Sequence, residues 1–376
     1  MRALLVFLLI LYLCLPHHLL ELFGGEALKS YDIPAALIFL ILVPRLGRLR
    51  FDPVYLEFGL FAAWYLFRAL LSVNAVGMAS VLFGAKFAEY FFVCVAADSM
   101  SRRDLRRVLL WVAGVAFVLG IGELFGLQLT VIAWNGRLTA QFGGPYELGA
   151  VALLLAVVVR RDLTLKFAGI AGVVLSGAKA SLMGYFAFLA RRLHDVKWVI
   201  VIVVVSAAVV LLFGDRITEF SGSLNFFADA DAMRQMYDSV PVTSNFDDYQ
   251  TQWLQRDTFS AGLDVDMSTG LRLYSWVLAI KSLTPINYVF GEGPGYFTSA
   301  LDSSILRVFV ETGVVGLYFL WRFMHKLMRG IGESGLGLAI FVNMLFVDVL
   351  FSARFLVVLL ILYRLYAERA NARPVA

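Results

Sequence analysis

The sequence predicts an all-α polytopic membrane protein of about 12 transmembrane helices with one large periplasmic loop. Three observations predict it. Hydrophobic residues make up 60% of the 376-residue chain and charged residues 16%, with a mean hydropathy of +0.80. A soluble domain is nearer half apolar and a quarter charged. The apolar residues gather in runs approaching the ~20 residues that a bilayer-spanning helix needs. Lysine and arginine gather in alternate loops between those runs. So little polar surface cannot cover a water-exposed globule of this length, so lipid covers much of the chain. A nucleic-acid binder, a disordered scaffold and a disulfide-stapled secreted domain are disfavoured. The net charge of +4 does not indicate a polyanion partner, because the charges are sorted between the two membrane sides. Cys14 and Cys94 both lie in apolar runs, which suits neither a disulfide nor a zinc site.

The first run, 3–16, follows Arg2. No small-x-small cleavage site comes after it, so it reads as a span and not a signal peptide. Runs at 33–44, 54–72, 78–97, 108–127 and 146–159 follow. The stretch 167–190 has cationic clusters at both ends, and a single span there would invert every later loop. A tight hairpin turning at Ser176-Gly177-Ala178-Lys179 keeps both clusters on one side, although its arms are short for a ~30 Å core. Runs at 198–213, 304–321, 335–351 and 355–366 complete the set.

Orientation follows from the cations. Arg2, RLGRLR (45–50), SRRDLRR (101–107), RRDLTLK (160–166), RRLHDVK (191–197), RFMHKLMR (322–329) and the tail from Arg364 hold 20 of the 32 lysines and arginines. The opposite short loops hold Lys29, Arg137, Lys179 and Arg354. The rich set is therefore cytoplasmic, and so are both termini. The chain divides into transmembrane helices over 1–214, a large outer loop over 215–302, and the last three helices with a cytoplasmic tail over 303–376. The outer loop carries 11 acidic and five basic residues between 215 and 300. Loops of this length are uncommon unless functional or disordered. Its aromatic residues, Phe226, Tyr237, Phe246, Tyr249, Trp253 and Phe259 among them, argue for packed structure or a lid on the membrane surface.

Several residues could carry chemistry. Arg137 is the one cation of the outer loop 128–145, shortly before a Gly143-Gly144-Pro145 turn and a helix start. A guanidinium binds a phosphate in bidentate fashion and helix-start amides add positive potential. An interfacial arginine touching lipid headgroups is the alternative. Arg272, Ser275, Ala279 and Ser282 share one stripe of a helix, opposed by Leu273, Trp276, Val277 and Ile280, which suits an amphipathic helix on the outer leaflet. Gly291-Glu292-Gly293-Pro294-Gly295 forces a turn. Asp302 precedes the helix that begins near Ile305, and it is either an N-cap or a general base. Arg307 and Glu311 are four apart on one helix face and should pair. Arg68, Glu123 and Asp348 are further ionisable residues inside spans, which makes each a functional candidate. The histidines, His17, His18, His194 and His325, form no metal signature, so a metal-independent protein is expected.

RLTAQFGGPYELG (137–149), LSGAKAS (175–181), RLYSWVLAIK (272–281), FGEGPGYF (290–297) and DSSILRVFVETGVVGL (302–317) occur in this order. Together they resemble the O-antigen ligase/Wzy polymerase superfamily of bacterial inner-membrane glycosyltransferases, over roughly 137–321. The resemblance implies a GT-C-like membrane fold and a periplasmic active site. It matches Arg137, Arg272 and the Glu311–Gly316 stretch to family positions. Two departures stand out. Ligases of the superfamily usually place a histidine where Asp302 stands, nine residues and a neighbour before Gly313. A serine-arginine pair is usual where this chain has Gly177-Ala178-Lys179. The first departure favours a repeat-unit polymerase over a ligase.

The reaction so implied joins two polyprenyl-diphosphate-linked oligosaccharides. Arg137, Arg272 and Asp302 are then the expected catalytic residues, with both arginines facing one outward-open cavity. Lys179, Tyr274, Arg307 and Glu311 are expected to bind substrate. No soluble cofactor and no metal is required. The expected partners are the lipid-linked oligosaccharides, the bilayer, a chain-length regulator and a flippase, with no nucleic acid. An O-antigen ligase acting on lipid A core and a secondary transporter or flippase are the competing readings. The cation distribution gives a first test. A cysteine replacing Ser244 should react with a membrane-impermeant thiol reagent in outer-permeabilised, otherwise intact cells. Labelling that needs lysis would reverse the topology.

Overall fold

The computed structural model describes residues 2–16, 29–44, 52–126, 138–159, 162–190, 226, 229–243, 245–260, 267–297, 301–332 and 335–371. Among these, every regular element is helical. The helices are α1 (Arg2–Cys14), α2 (Asp32–Leu42), α3 (Pro53–Leu71), α4 (Val73–Val76), α5 (Met78–Asp98), α6 (Arg102–Leu124), α7 (Pro145–Val158), α8 (Leu163–Ser176) and α9 (Lys179–Ala190). They continue as α10 (Ala230–Ser239), α11 (Phe246–Leu254), α12 (Arg256–Ser260), α13 (Met267–Lys281), α14 (Pro285–Phe290), α15 (Ser304–Ile331), α16 (Leu336–Phe346) and α17 (Ala353–Asn371). The span expected over 198–213 lies outside the described residues. So does Arg137.

Local chemistry sets the helix ends. The Ser101 hydroxyl accepts from the Asp104 amide at the start of α6, and the Asp162 carboxylate accepts from the Leu165 amide (both 3.3 Å) at the start of α8. Pro145 opens α7, where its missing N–H costs nothing. Gly177 closes α8 with φ at 56°, a left-handed cap, and α9 begins two residues later. The helix–turn–helix over 163–190 thus turns at the expected residues.

α3, α5, α6 and α15 are each long and apolar enough to cross a membrane, and α1, α2, α7, α8 and α16 are shorter apolar helices. Their large apolar side chains are not all inside. Leu82, Phe117 and Val118 are about two-thirds exposed. Outward apolar surface of this kind suits lipid and not water, and the architecture is consistent with a helical membrane protein.

The chain forms two compact units, whose boundaries fall within α3, α5 and α15. The first unit holds residues 1–60, 88–203 and 321–376. In it α1 packs on α2 and α6, α7 on α8, α9 on α16, and α17 on α6 and α7. The α7–α8 contact is close because Gly169 lies directly against the backbone of Ala156, where a Cβ would overlap. Buried charge is neutralised locally. The Glu57 carboxylate takes Arg322 at 2.7 Å and also Lys326. Arg354 is fully buried, with its guanidinium donating to the Gln141 carbonyl (2.5 Å) and the Leu15 carbonyl. The Tyr31 and Phe142 rings lie 5.3 and 5.5 Å from it.

The second unit holds residues 61–87 and 204–320. Here the acidic segment folds onto an apolar core of its own, including Met236, Val240, Tyr249, Leu278, Phe297 and Leu301. α13 runs along this core with its small side chains innermost. Ser275, Ala279 and Ser282 are buried, because small side chains let the helix approach closely, whereas Trp276, Val277 and Ile280 remain partly exposed. Leu273, Tyr274 and Leu278 complete the buried side.

Arg354→Leu should lower the thermal midpoint of the detergent-purified protein by several degrees. It orphans two buried carbonyls, at a cost of about 1–3 kcal/mol for each unmade partner. An unchanged midpoint would show that neither bond matters.

Candidate functional site

The site is built where α13 and the start of α15 meet within the second unit. The Ser303 hydroxyl accepts from the Leu306 amide at 3.3 Å and caps α15. Asp302 is therefore not the cap. It stands one residue earlier, with φ at 46°, a conformation that few residues other than glycine adopt but that aspartate and asparagine tolerate. That turn carries its carboxylate to Arg272, whose Nε lies 3.1 Å from Oδ2. The pair is open to solvent, with side chains 31% and 47% exposed for Arg272 and Asp302. Only Nε is engaged in that contact, and a guanidinium presents two amino groups beside it in one plane. The arrangement can therefore offer an oxyanion a fork and a hydroxyl an acceptor at the same place.

Beneath that pair lies a second, closed arrangement. Arg307 and Glu311 are almost fully buried and form the expected ion pair, Nε to Oε1 at 3.2 Å. The same carboxylate accepts from the Gly295 amide (3.1 Å) and from the Tyr65 hydroxyl. α15 breaks at Gly313, where φ is 69°. The break frees backbone carbonyls, and the glycine-rich turn fills the gap. The Glu292 amide donates to Val310 O (2.9 Å) and the Gly293 amide to Glu311 O (3.0 Å). From α3, Arg68 Nη2 holds Gly291 O at 2.7 Å and Trp64 Nε1 holds Thr312 O at 3.2 Å. A Cβ on Gly291 would collide with the Glu311 carbonyl, and one on Gly313 with the Val289 carbonyl. The two glycine-bearing motifs are thus halves of one joint.

This assigns the expected substrate-binding residues mostly to structure. Arg307 and Glu311 face inward and hold the joint. Tyr274 is buried in the core of the second unit, its hydroxyl donating to Gln252 O at 3.0 Å and its ring 4.7 Å from Phe259. Lys179 is half-buried at the first residue of α9, in the first unit. Glu123 binds the segment that follows Arg137, accepting from the Thr139 and Ala140 amides at 2.6 and 2.9 Å. Glu147 accepts from the Gly143 amide at 2.7 Å. Of the predicted catalytic set, the structure brings Arg272 and Asp302 together. Among the described residues, no group of three or more His, Cys, Asp or Glu could hold a metal.

Two cavities were not foreseen. In the first unit, a cavity of about 180 Å³ between α6, α7 and α8 is walled by apolar residues and glycine, including Phe117, Gly120, Leu148 and Gly172. In the second unit, a polar cavity of about 380 Å³ includes Thr243, Asn245, Asp247, Asn287, Glu292 and Tyr296 in its lining. Burial pushes the Glu292 carboxyl above the usual carboxylate range, against the pull of the Asn287 amide, which donates to it at 2.5 Å. No pattern in the sequence gathers these residues, since they come from four separate segments.

Compared with known family models and with curated proteins, the sequence matches none. The joint gives the second structural test. Gly313→Ala combines a disfavoured backbone angle with a backbone collision, so it should cost more than the ~1–3 kcal/mol of ordinary overpacking. The expected result is loss of folded protein in fluorescence-detected size exclusion. Wild-type yield and midpoint would refute the role given to the joint.

Proposed function

We propose that this protein is a metal-independent glycosyltransferase of the O-antigen ligase/Wzy polymerase kind. It joins polyprenyl-diphosphate-linked oligosaccharide repeat units at the periplasmic face of a bacterial inner membrane. About 12 spans and cytoplasmic termini follow from the loop charges. The observation that carries the reading is the solvent-open Arg272–Asp302 pair at the mouth of α15. The ordered motifs around it support the same reading, and the apolar cavity between α6, α7 and α8 has the chemistry that an isoprenoid tail needs.

In this reaction an acceptor sugar hydroxyl attacks the anomeric carbon of the donor. The new C–O bond forms as the bond to the diphosphate breaks, and polyprenyl diphosphate leaves with the electron pair. Negative charge builds on the departing oxygen, where a fixed cation is worth most. Arg272 meets that charge. Asp302 takes the hydroxyl proton. The pairing links the two events: a protonated Asp302 holds the guanidinium less strongly, which frees Arg272 for the diphosphate as the charge appears there. The resemblance assigns a like role to Arg137. A chain-length regulator and a flippase are the partners this reaction calls for.

Asp302→Asn separates charge from backbone, because asparagine tolerates the same positive φ. It should cut polymerisation by ~10²–10⁴-fold, read as a collapsed ladder on glycan gels at normal protein level. Arg272→Lys and Arg137→Lys should each shorten the ladder, because a point charge cannot copy the fork. Wild-type ladders in these variants would remove the mechanism. Deleting the gene separates polymerase from ligase: single repeat units on the acceptor mark a polymerase, and polymer left on the lipid carrier marks a ligase.

A further inference from the structure

The polar cavity of the second unit stands apart from the Arg272–Asp302 pair. Ser282, at the end of α13, lines it. Ten residues of near-continuous helix separate Ser282 from Arg272, or roughly 15 Å at 1.5 Å per residue. That exceeds the width of one sugar ring.

Its lining has a definite chemical character. Among the described lining residues the charged ones are the carboxylates Asp247 and Glu292, which suit hydroxyls better than a phosphate or diphosphate. The lining also includes the side chains of Asn245, Ser282, Thr284 and Asn287. Thr243 is 5% exposed, and among the described residues its hydroxyl has no hydrogen-bond partner. That oxygen is itself sealed from solvent, so Thr243 shapes the wall, and the polar groups open to the cavity belong to Asp247, Asn287 and Glu292. The Asn287 amide donates to Glu292 Oε1 and fixes the carboxylate at the rim. Asn245 has its Oδ1 committed to the Asp248 amide at 2.9 Å, which holds that wall in place. Phe246 and Tyr296 meet edge to face at 5.3 Å and supply an apolar surface beside the polar groups. The volume, about 380 Å³, falls in the roughly 300–1,000 Å³ range of small-ligand sites.

A polyol with one less polar face matches this set: hydroxyls for Glu292, Asp247 and Asn287, and C–H groups for the aromatic rings. We propose that the cavity is a glycan subsite that takes one neutral pyranose ring of the lipid-linked oligosaccharide, remote from the bond being made. It therefore sets which repeat unit the protein accepts. The identity of that ring's parent chain rests on the function proposed above, while the sugar-binding chemistry of the cavity does not.

The test uses the full-length protein purified in detergent, with methyl α-D-glucopyranoside, methyl α-D-galactopyranoside, methyl α-L-rhamnopyranoside and methyl N-acetyl-β-D-glucosaminide as probes. Saturation-transfer NMR should show at least one of the four receiving magnetisation from the protein. Asp247→Ala removes a carboxylate from the wall, and Asn287→Ala removes the amide. Each should weaken that binding by about tenfold, the size of one well-made hydrogen bond, at an unchanged thermal midpoint. Transfer to none of the four glycosides, or transfer undiminished in both variants, overturns the proposal. Binding is read without turnover, so its loss is separable from a failed polymerase reading. Wild-type glycan ladders in Asp302→Asn alongside intact, Asp247-dependent glycoside binding would sink the reaction and leave the subsite standing.

Discussion

The buried contact between Arg307 and Glu311 is the constraint on which the second unit depends. A carboxylate and a guanidinium removed from water must satisfy each other and their remaining hydrogen-bonding positions, or the desolvation cost of both falls on the fold. Glu311 meets that demand by drawing in the Gly295 amide and the Tyr65 hydroxyl. Tyr65 comes from α3, and Gly295 arrives because the glycine-rich turn docks where α15 breaks. The break at Gly313 exposes carbonyls that would otherwise be orphaned, and the turn's own amides cover them. Charge, turn and helix break therefore stand or fall together. Asp302 lies five residues before Arg307 in sequence, and Arg272 reaches it from α13.

The first unit solves a similar problem by other means. Glu123 and Glu147 are spent on the backbone amides of a loop, and Arg354 on two carbonyls. Backbone that does not run as helix at membrane depth needs its polar groups met by protein, because lipid supplies no partners. The ionisable residues that stand out in the apolar runs mostly do this work. An intramembrane charge is a functional candidate by default, and here Glu123, Glu311 and Arg68 each have a structural occupation.

The legible parts were those encoded by local rules. Apolar runs and cation clusters located the helices, Gly177 located the turn between α8 and α9, and the spacing of four found the Arg307–Glu311 pair. Pairings of distant segments were not legible. The DSS motif suggested a cap at Asp302, but capping depends on which residue starts the helix, and Ser303 takes the role. The pattern of α13 separated a small, polar stripe from an apolar one, but alternation of polar and apolar residues cannot tell a lipid face from a protein face. Ser275 and Ala279 are buried for their size and not their polarity. The polar cavity left no trace, since Thr243, Asn287 and Glu292 become neighbours only through the fold of the acidic segment.

Val310, inside α15, belongs to the same apolar cluster as Met236 and Tyr249 of the acidic segment. The segment is thus not an appendage spliced between two membrane helices. It shares its interior with the start of one of them. A chimera that borrows a relative's outer segment alone would cut through a common core and sever the glycine-rich turn from its receptor. The natural unit of exchange runs from about Phe226 to Gly313 and carries the matching face of α3, with Trp64, Tyr65 and Arg68, along with it. Sequence divergence in such a protein would then proceed by point changes within the segment, and not by wholesale replacement of it.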